Sequence, residues 1–319
     1  MKTELDYKQR SKKWDQLAGV RTHLETYELS LNSIKHEDKS ALSWHLPTYS
    51  GILEHNELRN LSKEKIEYIK GIQLLEFVLK QTIFEIECVN KVASKLAHNK
   101  YQFSLRSELK LDALKIYTDE GYHAYYTLKV AQQIASHYGL HENELKSYID
   151  NYYQKIDKTI NEYGSEYTDL CLLAFVIAGE SQIVSDISEQ MRGVVYEPIR
   201  EMFRNHMKDE VFHAKFFTQV FNEIWPQLTD NQKECMGFAF CNSLSLLSLP
   251  RTDVYYYSLS KFGYSQQEIT NFIDEIYNTE EWKSIRVRDR MLPVIELLRL
   301  NQVFDIEEVK KSFENKKYI

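Results

Sequence analysis

Two copies of one acid-and-histidine pattern are the residues of this sequence best suited to chemistry. They read Asp-Glu-Gly-Tyr-His at 119–123 and Asp-Glu-Val-Phe-His at 209–213. Residues three positions apart lie on the same face of an α-helix, so each Glu-x-x-His presents a carboxylate oxygen and an imidazole nitrogen together. Both groups bind metal ions. A single Glu-x-x-His is common on solvated helices, whereas two copies on apolar faces predict a metal site.

Both copies do lie on helix faces that are otherwise apolar. At a spacing of three to four residues, the first stripe consists of Leu109, Ala113, Ile116, Glu120, His123, Thr127, Val130 and Ile134, and the second of Ile199, Phe203, His206, Glu210, His213, Phe217 and Val220. A stripe of this composition is directed toward a protein core. Because a buried carboxylate without a partner is costly in free energy, these carboxylates need a cation or a metal ion beside them.

Glu180 is a third carboxylate within an apolar helical pattern. It directly follows the apolar run 172–179 and is the only acidic residue between Asp169 and Asp186. Acidic residues are rarely buried unless they are paired. Metal ligation is therefore the favoured interpretation, and an ion pair with a Lys or Arg from elsewhere in the chain is the alternative.

The first long helix should supply a matching single carboxylate. Glu85 shares its stripe with three valines and a threonine, which is an inward face. Glu87 shares its stripe with two lysines and an asparagine, and Glu76 lies about two turns earlier. Glu85 is the predicted ligand, and Glu87 remains the alternative.

These residues follow a repeating order along the chain. Glu85 precedes Glu120, and Glu180 precedes Glu210, so each of two helical hairpins brings one single Glu and one Glu-x-x-His. This is the ligand plan of the ferritin-like di-iron and di-manganese carboxylate proteins. Carboxylate and imidazole ligands without a thiolate suit iron or manganese, and four carboxylates balance the charge of two divalent ions.

His206 lies one helical turn before Glu210 on the same stripe. A lone histidine on an apolar face is usually a hydrogen-bonded core residue. Here it faces the predicted metal site, so we interpret His206 as a third histidine ligand.

The complete pattern resembles a known family. Its members are Glu85, Glu120-x-x-His123, Glu180 and His206-x-x-x-Glu210-x-x-His213, and it is similar to the di-iron N-oxygenases typified by p-aminobenzoate N-oxygenase, over residues 65–225. The resemblance implies that all seven residues bind two iron ions, with manganese less favoured. It also implies O2 and an external electron donor as co-reactants, an amine as substrate (often an arylamine) and a homodimer.

Asp119 and Asp209 each precede a predicted ligand Glu. By analogy with other di-iron proteins that carry this motif, we expect them to accept hydrogen bonds from the ring N–H groups of ligand histidines. The alternative is that both are surface aspartates. Several tyrosines flank the first motif, and core packing or pocket lining is the favoured interpretation for them.

With only 5 Pro and 10 Gly in 319 residues, and 43% hydrophobic residues, the composition favours a large helical protein. We predict an all-α, ferritin-like four-helix bundle with additional peripheral helices, in a single domain over 1–319 with its metal-binding core at about 63–225. The predicted helices cover 63–98, 104–138, 143–163, 166–192, 198–225, 230–248, 265–278 and 288–301. Residues 1–60 have an irregular pattern with a bend near Pro47 and Gly51, and they should pack on the bundle, as should 228–319. The lysine-rich C-terminal end is predicted to be solvated.

Charge and hydropathy exclude other classes of function. The formal net charge of −7 offers no broad cationic face for nucleic acid. The apolar run 170–179 is too short to span a membrane, and the charged amino terminus lacks the apolar core of a signal peptide. None of the four cysteines forms a CxxC pair. We therefore expect a cytoplasmic protein that binds neither nucleic acid nor a membrane.

Two other functions remain open. A di-iron enzyme with the same ligands could hydroxylate carbon or cleave a bond oxidatively, because the choice of substrate depends on the shape of the pocket. A non-enzymatic, ferritin-like iron- or oxygen-binding protein would also use these ligands.

Overall fold

Helices make up the regular structure of this chain. The computed structural model describes residues 2–22, 27–29, 31, 50–191 and 196–319, and no strand occurs within these ranges. In chain order the α-helices are α1 (Lys2–Lys12), α2 (Trp14–Leu17), α3 (Gly19–Thr22), α4 (Lys63–Ile83), α5 (Asn90–Ala97), α6 (Ser107–His137), α7 (Lys146–Asn161), α8 (Thr168–Gln190), α9 (Glu197–Ile224), α10 (Asp230–Ser248), α11 (Asp253–Ser260), α12 (Gln266–Tyr277), α13 (Glu280–Leu300) and α14 (Glu307–Asn315). The predicted all-α class is confirmed.

The core of the fold is a ferritin-like four-helix bundle built from two helical hairpins. In the first hairpin α4 and α5 pack against α6, and in the second α8 packs against α9. The hairpins meet where α6 contacts α9. Helix α7 crosses between the hairpins and packs on α8. This arrangement brings the two helices with Glu-x-x-His motifs side by side.

Local sequence signals begin and end the bundle helices close to the predicted positions. The Ser62 hydroxyl accepts a hydrogen bond from the Lys65 backbone N–H at 3.4 Å, as an N-cap residue does. Pro198 lies in the first turn of α9, where its missing N–H leaves no bond unmade. Gly139 has a φ of +66° just after α6, a left-handed conformation that favours glycine at a helix end.

The helix predicted over 63–98 contains a feature that its sequence pattern did not reveal. Between α4 and α5 the chain follows a π-helical turn over Phe84–Val89, and Glu85 lies within that turn. A π turn widens the helix locally, and such turns are frequent at functional sites. A spacing of three to four residues cannot distinguish this turn from a regular α-helix, so the prediction missed it.

The start of the N-terminal segment is helical, although its sequence pattern is irregular. Residues 2–22 form α1, α2 and α3, and these helices contact α6 and α9. The sequence KTELDYKQRSK of α1 is largely charged and has no apolar stripe, which is why its pattern looked irregular. Gly51 lies in a 3-10 turn, Ser50–Glu54, whereas Pro47 lies outside the described residues.

The C-terminal helices surround the two single-Glu helices. Helices α10 and α13 pack on α8, and α11 packs on α4. Helices α11 and α14 were not predicted, and α13 begins eight residues earlier than predicted. The lysines Lys311, Lys316 and Lys317 of the C-terminal end are exposed to solvent, whereas Val309 and Phe313 of α14 are fully buried and α14 packs on α10.

The segment 168–189 of α8 is the one stretch among the described helices that is long and apolar enough to cross a membrane. Most of it is buried inside the protein. Its apolar character is therefore that of a central bundle helix.

Candidate metal centre

All seven predicted ligand side chains converge at one depth inside the bundle. The π turn supplies Glu85, α6 supplies Glu120 and His123, α8 supplies Glu180, and α9 supplies His206, Glu210 and His213. Each of them is at most 3% exposed. Donor atoms of six of these residues, all except Glu180, form two overlapping groups of four, within which all atoms lie within 4.8 Å of one another. The first group is Glu85, His123, His206 and Glu210, and the second is Glu120, His123, Glu210 and His213.

His213 directs its Nδ1 atom into a set of three carboxylates. Nδ1 lies 2.7 Å from Glu120 Oε1, 3.4 Å from Glu210 Oε2 and 3.8 Å from Glu180 Oε2. The shortest of these contacts does not have hydrogen-bond geometry, since Nδ1 and Glu120 Oε1 both lack a hydrogen-bond partner among the described residues. This geometry is expected when a nitrogen and an oxygen are both directed at one bound metal ion.

His123 and His206 face the other side of the same carboxylates. His123 Nδ1 lies 3.2 Å from Glu210 Oε1 and 3.6 Å from Glu120 Oε2. His206 Nε2 lies 2.7 Å from Glu210 Oε1 and 3.3 Å from Glu85 Oε1. Each of the two central carboxylates, Glu120 and Glu210, therefore directs one oxygen toward His213 and the other toward His123.

The two aspartates contact the far nitrogens of the motif histidines, and the pairing crosses between the motifs. His213 Nε2 donates to Asp119 Oδ2 at 3.3 Å, and His123 Nε2 donates to Asp209 Oδ2 at 3.2 Å. Asp119 and Asp209 are 1% and 6% exposed, so neither is a surface aspartate. A proton held at Nε2 leaves the Nδ1 lone pair directed toward the glutamates.

Among the described residues, histidine provides the only cationic side chains beside these buried carboxylates. Within the described ranges, the ion pairs of Glu85, Glu120, Glu180 and Glu210 involve histidine alone, and each of these glutamates has at least one oxygen without a hydrogen-bond partner. Glu76 provides the contrast, because Arg251 Nη1 lies 2.7 Å from its Oε1. Lone pairs of this kind, buried and directed at common points, fit a pair of bound cations.

The electrostatics of the cluster agree with that fit. Burial raises the pKa of Glu180 well above its ordinary value, and the carboxylates of Glu210 and Glu120 raise it further. Burial also raises the pKa of Glu85 to about 7, against the opposing effect of His206. Burial lowers the pKa of His213, but the carboxylates of Glu120 and Glu210 outweigh burial and raise it well above its ordinary value. Strongly shifted pKa values concentrated in one cluster are typical of a functional site.

The π turn determines which carboxylate of the first hairpin faces the cluster. Glu85 is buried beside His206, whereas Glu87 is exposed and pairs with Lys91 at 2.6 Å. A Cβ atom at Gly179 would lie 2.5 Å from the Phe84 ring, so only a glycine permits α8 to approach the π turn so closely. Glu85 and Glu180 directly follow these two contact residues, and both are directed into the site.

Two residues that contact this site could not be found from the sequence pattern. Trp14 and Gly19, in the N-terminal segment, donate hydrogen bonds to Asp119 and Asp209. They lie 105 and 190 positions from these partners, and neither belongs to a recognisable motif. Tyr126 is one of the tyrosines that flank the first motif, for which core packing or pocket lining was the favoured interpretation; it is buried, with its ring 5.7 Å from that of His206.

A comparison with protein families shows which family this chain belongs to. The family model described as p-aminobenzoate N-oxygenase AurF matches residues 36–298, which is most of the chain. The chain belongs to the p-aminobenzoate N-oxygenase family. No curated protein matches it.

Membership of the p-aminobenzoate N-oxygenase family confirms the resemblance and makes the chain a member of an oxygenase family with a di-iron centre. The match covers both hairpins and every residue of the converging cluster. Helices α1 to α3, which contribute Trp14 and Gly19, precede the matched range.

Proposed function

We propose that this protein is a non-haem di-iron oxygenase that activates O2 and transfers oxygen to the nitrogen of an amine, most simply an arylamine. One observation carries the proposal. Glu120 and Glu210 are buried between histidines on opposite sides, and each directs a different oxygen at each side. Two carboxylates in that position are suited to bridging two cations.

We divide the seven side chains between two metal positions on the basis of their contacts. We assign Glu85, His123 and His206 to the first position, because His206 contacts Glu85 and its ring lies 4.1 Å from that of His123. We assign Glu180 and His213 to the second position, because His213 Nδ1 faces Glu180. Glu120 and Glu210 belong to both. Since an imidazole nitrogen has one lone pair, each histidine serves one position only.

Iron is the metal we propose for both positions. Hard carboxylate oxygens together with imidazole nitrogens and no thiolate suit Fe2+ or Mn2+, and four glutamates neutralise two divalent ions. Family membership favours iron. When bound, the iron pair supplies the O2 activation and the redox capacity that no side chain has.

The protein's own residues hold and shield that centre. Asp119 and Asp209 keep the ring protons of His213 and His123 on Nε2, so that Nδ1 stays available as a ligand. The surrounding apolar side chains exclude water and strengthen each electrostatic contact inside the site. In the proposed reaction an amine, O2, two electrons from an external donor and two protons give an N-hydroxylated amine and water.

The test supplies the protein with its proposed substrates. We expect the chain, loaded with Fe2+ under nitrogen, to bind two iron ions and, on mixing with 18O2, a reductant and p-aminobenzoate or a related arylamine, to give product with 18O on nitrogen. Mass spectrometry of the product measures this. A matched chain with Glu180→Ala should lose the second iron ion and form no labelled product.

Other outcomes would favour the alternative functions. Label on a ring carbon would indicate a C-hydroxylase, and a broken substrate bond would indicate oxidative cleavage. If no arylamine is oxidised and iron accumulates far beyond two ions per chain, the protein stores iron and the proposal is wrong.

We also propose a homodimer and a cytoplasmic location. All four cysteines are buried and none forms a disulfide, as expected in a reducing compartment.

The outward face of α6 carries an exposed apolar stripe at Leu111, Leu114, Tyr117, Tyr125 and Leu128. Exposed apolar stripes of this kind mark interaction surfaces, and a second copy of the chain would cover this one in a two-fold arrangement.

Charge placed on that stripe should separate the dimer. We expect Leu114→Glu to sediment as a monomer at concentrations where the natural chain is a dimer, because burying an unpaired carboxylate in the interface is unfavourable. The matched control is Leu300→Glu, at the end of α13, where the leucine is 79% exposed. Sedimentation velocity distinguishes the species. A natural chain that sediments as a monomer would contradict the assembly.

A further inference from the structure

The N-terminal helices contact the candidate metal centre at two points. Trp14 Nε1 donates to Asp119 Oδ2 at 2.8 Å, and the Gly19 backbone N–H donates to Asp209 Oδ2 at 3.0 Å. The same two oxygens accept from His213 and His123, respectively. Two hydrogen-bonded chains therefore run inward, one from Trp14 through Asp119 to His213, the other from Gly19 through Asp209 to His123.

Contacts outside these chains attach the N-terminal segment to the bundle. Ser11 Oγ donates to Asp112 Oδ1 at 2.6 Å, and Lys115 Nζ donates to the Ser11 carbonyl at 2.9 Å. The Tyr7 ring stacks on that of Phe212 with centroids 5.7 Å apart. Tyr7 also donates a hydrogen bond to Asp112. These contacts with α6 and α9 involve neither Trp14 nor Gly19, so we expect the segment to stay docked when either donor is removed.

The N–H groups of Trp14 and Gly19 each restrict the rotation of the aspartate carboxylate to which they donate. A carboxylate that accepts from a histidine alone can rotate about its side-chain bonds, and the imidazole can tilt with it. A second donor on the same oxygen fixes the position of the carboxylate, and the carboxylate in turn holds the imidazole ring. The orientation of the histidine therefore depends on this outer contact.

We propose that residues 7–22 form a positioning element for the metal centre, in which Trp14 orients His213 through Asp119 and Gly19 orients His123 through Asp209. The inference rests on the proposed function, because it assumes that both histidines bind metal ions. It assigns each donor to a different ion. Trp14 acts on the second metal position and Gly19 on the first.

Two substitutions remove the donors while retaining the backbone. Trp14→Phe keeps an aromatic ring and deletes the indole N–H. Gly19→Pro replaces the backbone N–H with a ring carbon that cannot donate and that moves the Asp209 carboxylate away, at the first residue of α3, where helices accept proline. Ala18 precedes it with φ −63° and ψ 141°, the extended conformation that a residue before proline prefers. Gly19→Ala is the matched control, because it retains the N–H.

The experiment measures how fast a chelator removes iron from each position. Chains loaded with Fe2+ under nitrogen are mixed with excess bipyridine, and the coloured complex is followed with time. Since outer contacts of metal-binding histidines contribute about 10–100-fold in affinity, we expect Trp14→Phe to release one iron ion about 10-fold faster. Gly19→Pro should do the same for the other ion, while Gly19→Ala should behave as the natural chain.

Single-ion chains assign the effects. In Glu85→Ala, which should retain only the second position, Trp14→Phe should still speed release and Gly19→Pro should not. In Glu180→Ala the two effects should be exchanged. Adding Trp14→Phe to Asp119→Ala should change nothing further, because the path through Asp119 is already broken.

The possible failures are distinguishable. A natural chain that binds no iron would contradict the proposed function itself. A natural chain that binds two ions, with unchanged release in both Trp14→Phe and Gly19→Pro, would contradict only the positioning role. Faster release by Trp14→Phe that persists in Asp119→Ala would also overturn that role, since it would show a general loosening of the segment.

Discussion

Replacing Glu210 with alanine should abolish stoichiometric binding of both metal ions. One oxygen of Glu210 faces His123 and His206, and the other faces His213, so the substitution removes a ligand from each position. The loss of affinity at each position should exceed the about 10-fold to 100-fold that changes to outer contacts produce. Iron per chain, measured by elemental analysis after loading and desalting, is the readout.

Three further substitutions complete this comparison. Two replace a ligand of a single metal position, and one replaces a surface glutamate. Glu85→Ala and Glu180→Ala should each retain one ion, because each removes a ligand from one position only. Glu87→Ala is the matched control for Glu85→Ala, since Glu87 lies in the same π turn but is exposed beside Lys91, and it should retain two ions. If Glu210→Ala retains one ion, Glu210 does not bridge.

Removing the metal ions should lower the melting temperature more than most single substitutions do. The metal-free bundle contains four buried glutamates with no Lys or Arg ion pair among the described residues. A ligand present at about 1,000 times its dissociation constant stabilises the folded state by about 4 kcal/mol, and two such ions contribute about twice that. We expect a decrease of about 10 °C or more, measured by calorimetry.

The control for this experiment removes the ligands as well as the metal. In Glu210→Ala, addition of Fe2+ should raise the melting temperature little, because neither position is complete. Equal melting temperatures for the natural chain with and without iron would mean that the buried carboxylates are tolerated without cations. The proposed metal centre would then be wrong.

The sequence predicted which side chains face the interior of the bundle, but it did not predict which residues they contact. The apolar stripes on α6 and α9 predicted that Glu120 and Glu210 face inward. The spacing of apolar residues along a helix is a local property of the sequence, and it marks the face that is buried. The choice between Glu85 and Glu87 stayed open, because the π turn that places Glu85 beside His206 leaves no mark on an apolar pattern.

The spacing of apolar residues along the chain could not predict contacts between residues that are far apart in sequence. The aspartates were expected to accept hydrogen bonds from ligand histidines. That each aspartate accepts from the histidine of the other motif depends on how α6 and α9 lie side by side. Trp14 and Gly19 are part of a segment without an apolar stripe, and only their contacts across the fold reveal them. Helices α11 and α14 were likewise not predicted from the sequence.

Anomalous X-ray diffraction at the iron edge will show whether two cations occupy the space between these side chains. In crystals of the iron-loaded chain we predict two anomalous peaks. One should lie among Glu85, His123 and His206, and the other beside Glu180 and His213, with Glu120 and Glu210 between the peaks. A single peak, or two peaks that do not share Glu120 and Glu210, would mean that these side chains do not hold a pair of metal ions.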